Sequence, residues 1–255
     1  MVTKDSKIAL KKDGERLAKR LARAGVCSRR DAEKMIAEGR VKLNGKVQTS
    51  PAINVTEADE ILVNGKPLKK KEPTRLWIYH KPPGLVTSHK DEKGRPTVFD
   101  SLPRDMARVI SIGRLDLNSE GLLLLTNNGE LSRHMELPTT GWERTYRVRA
   151  LGKVSQEKLD RLKNGVRVDG VQYGPIKAVL ETETTDSKSA NRWMRITLTE
   201  GKNREIRNVL EFLGLSVNRL IRISYGPFTL DNIEREEIIE IHPKDIAKYI
   251  GKDFD

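Results

Sequence analysis

The spacing of apolar and polar positions changes three times along the first seventy residues, and each change predicts a different element. Leu17, Leu21 and Ala24 recur at helical spacing among basic residues, and Gly25 ends that segment as a C-terminal glycine does. Ser28 then reads as the N-cap of a second helix, RRDAEKMIAEG. Asp31 and Glu33 sit near its positive end, Met35 and Ile36 face inward, and Gly39 closes it. From Arg40 the period shortens to two. Val41, Leu43 and Val47 alternate about an Asn44-Gly45 turn, and EILVNGKPL repeats the strand and Asn-Gly pattern, which predicts a small hairpin sheet. Before these elements, residues 1–14 are polar and aperiodic, so a disordered tail is expected. After them, Lys69-Lys70-Lys71-Glu72-Pro73 reads as a linker. The expected first domain spans 15–72.

A larger domain, 75–245, follows. LWIYH reads as a strand entering the irregular loop KPPGLVTS, then RVISI and LLLLT read as core strands. An Asn127-Asn128-Gly129 turn leads to a helical ELSRHMEL, ERTYRVRAL alternates as a strand, and SQEKLDRLKNG reads as a surface helix ending at Gly165. Short strands are expected over 166–200. In NREIRNVLEFLG, Ile206, Val209, Leu210 and Leu213 fall at i, i+3, i+4 and i+7, a one-faced helix ended by Gly214. Strands outnumber helices and run in clusters. The pattern therefore predicts an α+β fold: a helix-helix-hairpin module plus a larger mixed, mainly antiparallel sheet with flanking helices.

Composition narrows the function. The 255 residues hold no apolar run approaching the roughly 20 needed to cross a bilayer, and the start lacks a signal-peptide core, so a cytoplasmic protein without a membrane partner is expected. One cysteine, Cys27, excludes an internal disulfide, and four scattered histidines offer no metal-ligand spacing. Neither a metal nor another cofactor is expected. The net charge of +12 favours a polyanionic partner. Its location strengthens this: from Arg16 to Lys46, ten basic residues face only Asp31, Glu33 and Glu38, so nucleic acid leads.

Against this basic background, Asp116 stands in a loop between two core strands, RVISI and LLLLT. An anchored loop holds a carboxylate still. Arg114, the RTYRVR strand around Tyr146 and the GKNREIR segment around Arg207 are basic segments able to meet it. A neighbouring cation favours the charged form of a carboxylate, which serves as nucleophile or base without a cofactor. Each residue also has a plain structural reading. Asp116 reads as a loop cap, Tyr146 as core, and Arg207 as a surface residue with a packed stem.

Two resemblances separate these readings. Residues 21–30, Leu-Ala-Arg-Ala-Gly-Val-Cys-Ser-Arg-Arg, with Glu38-Gly39-Arg40-Val41-Lys42-Leu43-Asn44-Gly45, resemble the RNA-binding module first known from the fourth small-subunit ribosomal protein. That likeness implies Arg16, Arg29, Arg30, Arg40 and Lys42 on phosphates. In the larger domain, five motifs occur in the order found in ribosomal RNA pseudouridine synthases. They are Lys81-Pro82-Pro83-Gly84; Gly113-Arg114-Leu115-Asp116 with Gly121 to Leu131; Arg144-Thr145-Tyr146-Arg147-Val148; Glu200 to Arg207; and Arg219 to Ile223 with Tyr225-Gly226-Pro227. The chain resembles the RsuA/RluB branch of that family over 15–245, on its large-subunit side.

The resemblance implies that Asp116 is the catalytic aspartate, that Tyr146 stacks on the target uracil and that Arg207 pairs with Asp116. Arg114 would enter the RNA stack vacated by the target nucleotide, Leu220 would wall the pocket, and Lys81, Lys202, Asn203 and Arg204 would contact RNA. It implies isomerisation of a uridine in large-subunit ribosomal RNA with base flipping, no cofactor, and a monomer as the default state. Lys202, Asn128 and Asn208 depart from the usual arginine, aspartate and basic residue of the motifs. From other classes, the alternatives are a non-catalytic ribosome-assembly factor and, more weakly, a DNA-binding regulator using the N-terminal helices.

Overall fold

A computed structural model describes residues 14–70, 72–181, 191–251 and 254. The expected tail, apart from Gly14, lies outside them. The chain divides into two units, Met1–Pro73 and Thr74–Asp255, and each is treated alone.

In the first unit, helices Leu17–Arg23 and Arg29–Ala37 pack on a four-stranded antiparallel sheet ordered Lys46–Gln48, Val41–Leu43, Ile61–Val63, Lys66–Pro67. The second helix starts where Ser28 accepts from the Asp31 N–H at 3.1 Å and its hydroxyl donates to the Asp31 carboxylate at 2.6 Å. Both hairpins turn on left-handed asparagines, Asn44 and Asn64, each followed by a left-handed glycine. Leu17, Leu21, Ile36 and Val41 form the core. One alternating position falls elsewhere than expected: Val47 is 53% exposed. The two-residue turn pairs Leu43 with Lys46, so Val47 stands opposite Lys42 rather than beside the core residues.

The second unit is built on a nine-stranded sheet. Its order is Lys177–Leu180, Asn191–Leu198, Arg144–Leu151, Ser216–Tyr225, Glu120–Thr126, Leu76–Lys81, Ile238–Glu240, with Phe228–Thr229 and Ile110–Ile112 attached. Every pairing is antiparallel except Ser216–Tyr225 against Glu120–Thr126, which are parallel over Ile221↔Glu120 and Arg222↔Gly121. The mixed sheet expected from the pattern is present. Strand Glu120–Thr126 is buried throughout: Leu122 and Leu124 meet Leu131, Met135 and Ile246, while Leu123 and Leu125 meet Trp77, Tyr79 and Leu115. On one edge it is shared, by Ile110–Ile112 toward its end and by Ser216–Tyr225 at its start. The sheet forks there, and the loop 113–119 occupies the fork.

Gly121 makes the parallel junction possible. At φ +107 it lies in the glycine region, and an added Cβ would stand 2.3 Å from the Arg222 carbonyl oxygen.

A third cluster packs Val148, Met194 and Ile196 under Val209 and Leu210 of helix Glu205–Phe212. Leu159 and Leu162 join it fully buried, so the segment expected as a surface helix is instead a short helix, Gln156–Asp160, continued as a 3-10 turn, Arg161–Asn164, clamped on the sheet. Strand Ile238–Glu240 and helix Pro243–Ile250 had no counterpart in the sequence reading, and the helix runs past residue 245. Among the described residues no helix is long and apolar enough to cross a membrane.

Candidate active site

Loop 113–119 is held through its backbone. Thr87 Oγ1 donates to the Leu115 carbonyl at 2.9 Å, and the Gly84 N–H donates to Leu117 at 2.7 Å. Below them lies Lys81, at the end of strand Leu76–Lys81 and fully buried. Its ammonium donates to the carbonyls of Ser119 at 2.8 Å, Pro82 at 3.0 Å and Asp116 at 3.2 Å, with Leu117 at 3.5 Å. Burial pulls Lys81 down to about 8, against the opposing pull of Asp116 and Glu120. The expectation of an RNA contact at Lys81 is therefore corrected: its charge is spent inside the protein, on the loop that carries Asp116.

The Asp116 carboxylate emerges from this loop with its side chain 33% exposed. One of its oxygens, Oδ2, lies 3.9 Å from Arg207 Nε and 3.7 Å from Arg204 Nη1. Helix Glu205–Phe212 supplies both arginines from its start. Arg204 is the N-cap residue, in the left-handed region at φ 50, and Arg207 lies one turn on. Arg207 donates to the carbonyls of Val217 at 3.0 Å and Asn118 at 3.4 Å, which leaves its buried Nε without a hydrogen-bond partner beside Asp116. Desolvation lowers Arg207 from its ordinary value, helped by Arg204 and opposed by Asp116.

A cleft of about 390 Å³ opens here, lined by Asp116, Arg114, Tyr146, Arg204, Arg207 and Leu220 among others. Tyr146 stands beside a register shift between Thr145 and Tyr146, an irregularity of the kind that re-aims a side chain. Leu220 is buried, while Arg114 is exposed at the rim. Lys202 also lines the cleft and pairs with Glu200 at 2.5 Å, whereas exposed Asn203 does not line it.

Three lining residues escaped the sequence reading. Arg222 is buried with Nε donating to the Leu122 carbonyl at 2.7 Å and Nη2 unpartnered. Arg144 donates to the Tyr225 hydroxyl at 2.7 Å and the Glu200 carbonyl at 3.1 Å. Glu205 is buried, accepts from the Lys202 N–H at 2.9 Å, and is raised chiefly by desolvation. The available signal was positional: Arg144 falls at a buried position of an alternating strand, and Arg222 stands between Ile221 and Ile223 in an otherwise apolar stretch.

In the other unit, Arg16, Arg29, Arg30, Arg40 and Lys42 are all exposed. Arg16 donates to the Ala52 carbonyl, and Arg40 to Asn64 at 2.9 Å and Glu38 at 3.2 Å. Arg29, Arg30 and Lys42 have no side-chain partner among the described residues. No group of three or more His, Cys, Asp or Glu able to hold a metal occurs among the described residues.

The family model described as RNA pseudouridylate synthase matches residues 75–212, and the S4 domain model matches residues 15–61. The chain belongs to the RNA pseudouridine synthase family. It is 50% identical to an uncharacterized RNA pseudouridine synthase of Rickettsia felis over 92% of this chain and 100% of that protein. With the ribosomal large subunit pseudouridine synthase B of Pseudomonas aeruginosa it shares 43% identity over 85% of this chain and 56% of that protein. A crystal structure of a pseudouridylate synthase superposes with a TM-score of 0.65 at 28% identity, covering 92% of this chain and all of that one. As a pseudouridine synthase, the chain is an isomerase acting on RNA, with an S4 RNA-binding module ahead of its catalytic domain.

Proposed function

We propose that this pseudouridine synthase isomerises one uridine of large-subunit ribosomal RNA, with Asp116 as the catalytic carboxylate. The observation that carries the reading is the Asp116 carboxylate facing Arg207 and Arg204 at 3.9 and 3.7 Å in the cleft that Tyr146 and Leu220 also line. Phosphate binding alone has no use for an acid at that position. The likeness to the Pseudomonas large-subunit enzyme supports ribosomal RNA as substrate.

The reaction breaks the bond between ribose C1′ and uracil N1, turns the base, and joins C1′ to C5. The C5 proton leaves and N1 gains one, so there is no net oxidation. Asp116 supplies the anionic group at the sugar or the base, and Arg207 orients it. A paired uridine is out of reach, so the nucleotide flips out at a cost of a few kcal/mol. Stacking on Tyr146 and entry of Arg114 into the vacated stack offset that cost. Leu220 keeps the base side of the cleft dry.

The test is Asp116→Asn, which keeps the side chain's shape and removes its charge. Pseudouridine is mapped in ribosomal RNA from cells with the wild type, the variant or no gene, and RNA binding is measured in parallel. One large-subunit site present only with the wild type, with RNA binding kept by the variant, is expected. Restoration of that site by Asp116→Asn removes the catalytic role of Asp116. If no site depends on the gene, the assembly-factor reading takes over.

A further inference from the structure

The sheet has a second face, opposite the cleft. In strand Arg144–Leu151, Val148 and Ala150 face the core and Tyr146 the cleft, so Thr145, Arg147 and Arg149 point out of the opposite face. Pairing sets Arg147 beside Arg195, and Arg149 beside Trp193 and Arg219. On the edge strand Lys177–Leu180, Lys177 and Val179 join the same face. Farther along the sheet, helices Gly129–Glu136 and Pro243–Ile250 cover this face over Leu122 and Leu124. Over Arg149, Arg195, Lys177 and Val179 it is exposed.

Its cations are stiffened and only partly neutralised. The Arg147 guanidinium lies 4.3 Å from the centre of the Trp193 ring, with that of Arg219 at 5.9 Å from the same ring. Glu181 pairs with Arg147 at 2.9 Å and approaches Arg195 at 3.8 Å, and Glu120 holds Arg219 and, at 2.8 Å, Arg235. Arg149 and Lys177 have no acidic partner among the described residues. The result is a two-dimensional cationic array across four adjacent strands about 4.8 Å apart. Trp193 is engaged by arginines, so the face suits phosphates rather than stacked bases. Arginines held in place beforehand lose less freedom on binding a phosphate backbone.

We infer that this face is a second RNA-contact surface. It takes backbone phosphates of a structured RNA segment distinct from the one whose uridine enters the cleft. The inference rests on the reading that the substrate is ribosomal RNA. Because the sheet separates the two faces, RNA reaches both only by passing round an edge or an end of the sheet, which a short hairpin does not do and a long folded RNA does.

The experiment uses the full chain carrying Arg149→Glu and Lys177→Glu. Both side chains are exposed, so melting unchanged from wild type is the folding control. Two probes are compared: a transcript of the whole large-subunit ribosomal RNA, and a short hairpin around the uridine mapped as above. Affinity for the long transcript is expected to fall at least tenfold, and its salt slope to shrink by about two. Binding and isomerisation of the hairpin stay unchanged, and Arg149→Lys with Lys177→Arg restores the long-transcript affinity. Wild-type affinity of the Glu variant for the long transcript overturns the inference. So does an equal loss on the hairpin, which assigns the effect to overall charge. A loss seen only on protein-containing ribosomal particles replaces RNA with an acidic protein partner. A wild type that isomerises neither RNA refutes the proposed function instead, while the binding comparison still decides this surface.

Discussion

Replacing Gly121 by alanine tests whether the fork in the sheet holds the catalytic loop. The residue sits at φ +107, a conformation that costs an L-residue about 1–3 kcal/mol. The new Cβ would also stand 2.3 Å from the Arg222 carbonyl oxygen and 2.8 Å from its nitrogen, backbone atoms that cannot swing aside. Forcing the strands apart adds about 1–3 kcal/mol, as overpacking does in a core. The sum, roughly 2–6 kcal/mol, lowers the melting temperature of a domain this size by about 10 °C. Gly170→Ala is the control. At φ +81 with nothing within 4 Å of its Cβ, it carries only the backbone penalty, about 1–2 kcal/mol. Activity separates the two further. Gly121 pairs with Arg222 two residues after Ser119, so a displacement of about 1 Å at the junction reaches Asp116 and lowers turnover about 100-fold. Thermal melts and single-turnover isomerisation of the mapped substrate give both quantities. A Gly121→Ala protein that melts like Gly170→Ala and turns over like wild type refutes the close approach.

Three further outcomes are expected. Raising pH through about 8 removes the Lys81 proton and one of its donors from the Asp116 loop, so turnover falls as a one-proton step. The unfolded lysine keeps that proton up to about its ordinary 10.5, so over this window Lys81 makes stability rise with pH, and a melting temperature dropping in parallel with turnover would count against the assignment. Arg207→Ala and Tyr146→Ala reduce single-turnover rates far more than RNA affinity, whereas equal losses in both mark plain RNA contacts. Arg29→Ala with Arg30→Ala weakens RNA binding and shrinks its salt slope by about two while leaving the rate at saturating RNA largely intact, and an unchanged slope removes these side chains from the RNA.

What was legible depended on how locally each feature is encoded. Helix Glu205–Phe212 could be read from Ile206, Val209 and Leu210 because its burial follows one period. Period says which face is buried and not what covers it, so SQEKLDRLKNG was read as a surface helix with no partner named for Leu159 and Leu162, which join the buried cluster of Ile176 and Val209. Val47 went astray because a two-residue turn reverses which positions share a face across the hairpin. Charge misled at Lys81: nothing local separates a lysine on phosphate from one that donates to three carbonyls of a distant loop and to that of its neighbour Pro82. The meeting of Asp116 with Arg207 is not periodic at all. It depends on the parallel pairing of distant strands; the residues alone offered three basic segments able to meet Asp116, and the resemblance to a known family singled out Arg207.

That pairing also sets the order in which the protein can become competent. The two strands meet through only two residue pairs, and Arg222 bonds to Leu122 across a separation of 100 residues. Closing so long a loop is entropically slow, and nothing compensates until both strands are in place. A chain emerging during synthesis thus has Asp116 long before it has the surface against which Asp116 is set. Partial products carry no half-built cleft, and competence arrives late, in one step, once the polypeptide past Tyr225 is free to fold back.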